Sequence, residues 1–549
     1  MPNRKCRNFI REASHVAAAI ATKRKALAEV PEGLENSLDI AVIGGCLIPI
    51  DIQPNCTDLV PPCTAIGDID ISTTTSSQVE GEPFTIRSAK WVSANNISKQ
   101  AGNALLVLLS EKISDLPKDV RTLKSTPRSI VKRKVDPGEY VHYGVRDALT
   151  DFLINSDFHS PNIFLNVNVD GLPLLKSSLK QAWPILINVN GTKPVIVVGI
   201  YVGNSKPKDP NIYLKEFVDE LQTLVRDGMI CRNKHFNIGI RAFINDAPAW
   251  AFILGVKHHS GYYCCNKCVQ KGERFERRII FKKEHNVSTC NESFRNRLYP
   301  DHHNITEEPA LEKLQIDMVE QFPFDYMHVV CLGVVKTILV AWTRVRRQPF
   351  SLRRDSISLI SAQFCSLKIF FPKEISRKPR PLDDLERFKA TELRTFLLYT
   401  GPVVMKGFLD TARYNHFLVL SLGIRLLLHE EYCKTKNGLA DALLNKFVEE
   451  IPTLYSFTML SFNFHCLTHL SRQALKFNSL ETISAFPFEN FLGQLKVMVK
   501  KSDFVIEQLY NRIVEKSLLN VFHKVDKFNN NVPGQKIYHN NFFFNPLIC

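Results

Sequence analysis

The chain has 549 residues, too many for one compact core and enough for roughly two to four domains. Hydrophobic content of 45% and aromatic content of 10% are globular values that leave ample apolar surface to bury, and a formal net charge of +15 favours polyanionic partners, nucleic acid first among them. The polar, basic start at residues 1–11 has no apolar stretch and argues against a secretory signal, so the 14 cysteines are not expected in disulfides.

In chain order, residues 1–92 read as a basic, Ala-rich start and a Pro-, Thr- and Ser-containing linker of low order. Residues 93–139 form a helical and basic pre-core segment. Leu105, Leu106, Leu108 and Leu109 give it an apolar helical stripe, and Lys132-Arg133-Lys134 suits phosphate contact, nuclear import or a solvated face. Residues 140–155 read as a helix. Residues 162–170 alternate and are rich in β-branched side chains, a strand ending on Asp170. Strands at 183–189 and 195–202 are joined by Asn190-Gly191, a strong hairpin signal. An amphipathic helix at 212–226, a strand at 236–245 ending on Asp246 and a helix at 247–255 follow. This order fits an α/β, RNase H-like mixed-sheet core whose first part spans 140–270.

Residues 271–455 read as a large α-helical insertion, with helices at 324–344, 382–399 and 414–431. Within it Arg344, Arg346, Arg347, Arg353 and Arg354 cluster near one helix end, where they are expected to hold DNA backbone. Residues 456–515 return to the core, and 516–549 form a C-terminal tail. The longest apolar run, 329–342, is short and carries Lys336, so no membrane span is predicted.

Two sets of residues carry chemistry. Cys265 and Cys268 can grip a metal from one turn, and His465 and His469, four apart, share one face of a helix. Two thiolates and two imidazoles suit tetrahedral Zn²⁺, but the pairs stand 197 positions apart (465 − 268), so this is no local finger and the fold must unite them. Cys264, His258, His259 and His328 are alternative ligands. The second set is Asp170, Asp246 and Glu489, the last opening a helix that runs to about residue 500. Three converging carboxylates suffice for two Mg²⁺ ions in phosphodiester cleavage. Each also has a plainer role: Asp170 as a turn residue before Gly171, Asp246 as an N-cap before Ala247-Pro248, Glu489 as a first-turn acid favoured by the helix dipole.

Several stretches carry a family resemblance: Asp170-Gly-Leu-Pro-Leu-Leu-Lys-Ser-Ser178, Ile200-Tyr-Val-Gly-Asn-Ser-Lys-Pro207, Asn245-Asp-Ala-Pro-Ala249, His259-Ser-Gly-Tyr-Tyr-Cys-Cys-Asn-Lys-Cys268, Phe322-Pro-Phe-Asp-Tyr-Met-His-Val-Val-Cys-Leu-Gly-Val334 and Phe486-Pro-Phe-Glu-Asn-Phe-Leu-Gly493. Over about residues 95–515 the chain resembles DDE-type transposases of the CACTA/EnSpm-like group, within the CACTA–Mirage–Chapaev superfamily. The resemblance implies that Asp170, Asp246 and Glu489 hold two catalytic Mg²⁺ or Mn²⁺ ions. It also implies that Cys265, Cys268, His465 and His469 hold a structural Zn²⁺. The antigen-receptor recombinase catalytic subunit is similar in this nesting. Asn245 stands where many relatives have cysteine, an exchange expected to leave the chemistry untouched. The implied activity is DNA strand cleavage and transfer at transposon ends, by a nuclear homo-oligomer acting on transposon-end and target DNA. The alternative is a catalytically silent, domesticated or decaying transposase-derived DNA-binding or regulatory protein.

Overall fold

The computed structural model describes residues 83–519, apart from 96, 176–177, 192–193, 283–286, 305–306 and 376. The expectations for residues 1–82 and 520–549 lie outside the described residues. The fold is mixed α/β. An eight-stranded sheet is built from β1 (Arg133–Val135), β2 (Gly138–His142), β3 (Asn162–Val169), β4 (Leu172–Pro173), β5 (Gln181–Val189), β6 (Ile196–Gly203), β7 (Met229–Cys231) and β8 (Lys234–Phe243). The strand order is β1-β2-β6-β5-β3-β8-β7, with β4 pairing β5. β3 and β8 run parallel, and the other pairs are antiparallel.

β5 and β6 are buried along nearly their whole length, so the sheet is covered on both faces. The helix Pro210–Asp227 packs on it through Tyr213, whose hydroxyl donates to the Trp183 carbonyl at 2.9 Å. Sequence sets the helix bounds: the Asp209 side chain accepts from Asn211 N and Ile212 N, Pro210 fills the first turn, and Gly228 at φ +67° stops it.

The β5–β6 turn needs left-handed backbone at both Asn190 (φ +51°) and Gly191 (φ +75°). Asn190 also ties the turn to the neighbouring strand, since its Oδ1 accepts from Phe164 N at 2.7 Å. A Cβ on Gly191 would meet nothing closer than 3.5 Å, so Gly191→Ala tests backbone conformation alone. Its expected cost is about 1–2 kcal/mol, read as a shifted urea midpoint with an unchanged slope.

Several sequence expectations are corrected. Residues 140–142 are not helical: they lie in β2, paired with β6, and the helix starts only at Val145. Lys132 lies at the exposed surface and Arg133 is half-buried, and both are engaged in ion pairs. Lys132 bridges Glu139 (3.0 Å) and Glu507 (2.8 Å), while Arg133 pairs with Glu216. The stretch read as one helix over 324–344 is a π-helix, Met327–Val335, followed by an α-helix, Lys336–Thr343. That over 382–399 opens as a 3₁₀ helix, Leu382–Arg387, and ends in a second π-helix, Phe396–Thr400. The insertion is not all helical, because it opens on a β-ribbon, β9 (Glu273–Phe275) paired antiparallel with β10 (Arg278–Ile280).

One apolar core runs from Val135 to Ile513 and takes in side chains of the sheet, the insertion and the return segment. A smaller cluster, including Ala89, Val92, Leu106 and Val120, is closed by Leu519. No described helix is long and apolar enough to cross a membrane.

Candidate active site and metal centre

β3 ends one residue before Asp170, and β8 ends three residues before Asp246. Two buried asparagines bind the ends of these strands together. Asn168 Nδ2 donates to the Ile244 carbonyl (2.7 Å), and Asn245 Oδ1 accepts from Val169 N (2.9 Å). Ile244 N extends the ladder to the Val167 carbonyl at 2.7 Å. The side chain of Asn245, the residue preceding Asp246, thus holds Val169, the residue preceding Asp170.

Each aspartate also keeps its plainer bond. Asp170 Oδ1 accepts from Gly171 N (2.6 Å), and Asp246 Oδ1 caps the helix Ala247–Leu254 through Ala249 N (2.7 Å). Burial, then the negative charges of Asp246 and Glu489, push the Asp170 carboxyl well above the usual carboxylate range. Burial likewise raises Asp246, against the helix-capping bond and His328.

Glu489 arrives from the far end of the chain, in the first turn of the helix Phe486–Met498. Asp325, almost wholly buried, sets where that helix begins: its Oδ1 accepts from Ala485 N at 2.7 Å, and Glu489 N donates to the Ala485 carbonyl at 2.9 Å. Arg241 on β8 fixes the preceding segment through the carbonyls of Thr482 and Phe477, both at 2.9 Å.

Sequence reasoning assigned His328 only as an alternative zinc ligand. It lies instead among the acids. Asp325 Oδ2 meets its Nδ1 at 2.7 Å, and its Nε2 stands 3.7 Å from Glu489 Oε1. Burial opposes its charge, but the Asp325 bond and the charges of Asp325, Asp246 and Asp170 prevail and raise its pKa to about 9. The signal was present in Asp325-x-x-His328, a pair spaced for one helical turn, though nothing in it names the distant acids.

Cys265, Cys268, His465 and His469 meet, with ligand atoms all within 4.8 Å of one another, and this group can hold a metal ion. Cys268 Sγ lies 3.3 Å from His465 Nε2, Cys265 Sγ 3.6 Å from His469 Nε2, and the two Nε2 atoms 3.2 Å apart. The histidines do not share a regular α-helix: that helix stops at Cys466, and residues 467–469 tighten into a 3₁₀ turn. Among the described residues no second such group is found.

Aromatic rings connect the two centres. Phe324, next to Asp325, packs on His469 (6.0 Å between centroids), Phe462 (5.6 Å) and Trp250 (6.5 Å), the last on the helix that Asp246 caps. Of the arginines expected on DNA, Arg344 donates to the Leu382 and Asp383 carbonyls, while Arg346, Arg347, Arg353 and Arg354 are exposed. No protein-family model matches this chain, and no curated protein matches it.

Proposed function

We propose that the chain is a DDE transposase-like polynucleotidyl transferase with an RNase H-like core. The observation that carries this reading is the joined ends of β3 and β8, which set Asp170 and Asp246 at neighbouring strand ends, together with His328, whose Nε2 stands 3.7 Å from Glu489 Oε1 and whose charge bears on both aspartates. The β6-β5-β3-β8 order, with the first three strands antiparallel and the fourth parallel to the first, supports the RNase H-like assignment.

Three carboxylates are hard oxygen donors, and a divalent cation would relieve their mutual repulsion, so the donor set fits Mg²⁺ or Mn²⁺. When bound, two such ions polarise the phosphoryl group and acidify the attacking water. Asp170, Asp246 and Glu489 would together hold the ions, Asp170 being the acid on which the charges of both others act. Water displaces the 3′ oxygen of a phosphodiester, leaving a 5′-phosphate and a 3′-hydroxyl. That hydroxyl then attacks a target phosphodiester and releases its 3′ oxygen in turn. His328, held by Asp325, brings a positive charge beside the acids where phosphate charge would gather.

Zn²⁺ is the ion proposed for the Cys₂His₂ group. Zn–S near 2.3 Å and Zn–N near 2.0–2.1 Å in a tetrahedron demand S···N of about 3.5 Å and N···N of about 3.3 Å. Two of the four S···N separations, 3.3 and 3.6 Å, and the N···N separation of 3.2 Å are close to that demand, and all the ligand atoms lie within 4.8 Å of one another. DNA as partner, self-association to pair two DNA ends and a nuclear location follow from the same reading.

The test is nicking of supercoiled plasmid by the full chain. Mn²⁺-dependent conversion to open circles, stopped by EDTA, is expected; none at any divalent ion would sink the enzyme reading. A silent DNA-binding protein is the second reading, and it predicts duplex binding without nicking.

A further inference from the structure

The β9–β10 ribbon stands apart from the main sheet, and residues 273–278 are exposed throughout. From 271 to 282 it carries five cationic side chains against two acidic ones. Lys282 pairs with Glu273 at 2.7 Å, which leaves Arg274, Arg277 and Arg278 without an ion-pair partner among the described residues. The register places Arg274 opposite Ile279 on one face and Arg278 opposite Phe275 on the other, with Arg277 in the turn. Cations on both faces and at the tip suit a ribbon lying between two rows of anions. A ribbon lying on one row would need them on a single face.

The base of the ribbon is held firmly. Gly272 N donates to the Tyr262 carbonyl (2.6 Å) and Phe281 N to the Leu460 carbonyl (2.8 Å). The Phe281 ring stacks on His465 with centroids 5.1 Å apart, so the ribbon springs directly from the metal-binding group. A Cβ on Gly272 would strike Ile279 at 2.4 Å, which shows how tightly the root is packed. Such a root presents the arginines at fixed positions and limits the ordering entropy lost on binding.

We propose that the β9–β10 ribbon is a DNA-contacting arm that enters a groove of duplex DNA, with Arg274, Arg277 and Arg278 on phosphates of the flanking strands. The B-DNA major groove admits a two-stranded ribbon, and guanidinium groups suit phosphate geometry. The choice of DNA as the polyanion rests on the reading above, while the groove geometry rests on the ribbon itself.

The experiment titrates a short fluorescent duplex with full-length wild type, with the triple variant Arg274→Gln, Arg277→Gln, Arg278→Gln, and with the corresponding triple Lys variant, across a salt series. Loss of three phosphate contacts should flatten the slope of log K against log salt by about 2–3 and weaken binding at moderate salt by about tenfold or more. The Lys variant should restore the slope. Unchanged metal content in all three proteins shows that the root of the ribbon is intact. An unchanged slope in the Gln variant overturns the proposal, as does a wild type without duplex affinity. Plasmid nicking with Mn²⁺ keeps the two readings apart. Nicking with a ribbon-independent slope removes the arm and leaves the enzyme; a ribbon-dependent slope without nicking does the reverse.

Discussion

Asp246→Asn is expected to abolish Mn²⁺-dependent nicking by at least about a thousandfold, roughly 4 kcal/mol of barrier, while leaving duplex affinity intact. The exchange is nearly isosteric, and asparagine caps helices as well as aspartate does, so the bond to Ala249 N that starts the helix Ala247–Leu254 survives. What disappears is a negative charge. Burial raises the Asp246 carboxyl above its unfolded value, so the ionised form costs the folded state free energy. The sign follows from that direction. Below the ordinary aspartate range, near 3.9, the group is protonated in both states and costs nothing. The cost grows as pH rises through the raised value and is complete above it. Without divalent ions, the Asn variant should therefore melt higher than wild type at neutral pH, by on the order of 1 kcal/mol, and the difference should vanish in acid. With Mn²⁺ the order should reverse, because only wild type gains ligand stabilisation, about 2.7 kcal/mol at a hundredfold excess over Kd. Thermal melts with and without Mn²⁺ read both effects. Equal nicking by the two proteins, or an Asn variant less stable without metal at neutral pH, would remove Asp246 from the proposed site.

The opposed stability and activity effects reflect how the site is assembled, and they explain which parts of it the sequence disclosed. Local chemistry marked the strands: the alternation in residues 162–169, the Asn190-Gly191 turn and the Asp209-Pro210 cap each act within a few residues and are visible in order. β1 and β7, three residues each, and β4, two residues, are too short to show a period. Tyr140 and Val141 passed for helix because β2 is a short strand, paired between β1 and β6, that leads straight into the helix at Val145. The β9–β10 ribbon has strands of three residues that mix charged and apolar side chains on both faces, so no alternation announced it. The acids themselves were legible as types at strand and helix ends. Their supports were not. Asn168, Asn245, Arg241 and Asp325 act through backbone atoms from 76 to 241 residues away, and no spacing rule encodes such partners. His328 belongs with them, since only the folded chain shows it facing Glu489 instead of the cysteines.

Cys268→Ser combined with His469→Ala should leave the chain without bound zinc and sharply less stable, and the loss should be larger than for any single active-site change. The reason is where the ligands sit. The Cys265–Cys268 turn and the His465–His469 segment are 197 residues apart in sequence, and between them lies the whole insertion. Tying such a loop lowers the entropy of the unfolded chain by up to about 5 kcal/mol on a cross-link estimate, a ceiling because the shared apolar core also holds the two ends. Removing the ion also leaves buried donors unmatched. Hydrogen bonds from Cys265 and the two imidazoles hold the Cys268 thiol well below its usual range, the arrangement a cation would complete. The Phe324 ring touches His469 and adjoins Asp325, which in turn fixes the start of the helix carrying Glu489. Zinc loss should therefore reach the acids: proteolysis should open the segment before residue 489, and Mn²⁺ should cease to raise the melting temperature. A strong zinc chelator on wild type should reproduce both changes. Metal analysis decides the matter: about one zinc per wild-type chain and none in the double variant are expected. No zinc in wild type, or undiminished zinc in the variant, would refute the assignment. A variant that loses zinc yet keeps its Mn²⁺-dependent melt would break the proposed link between the two centres.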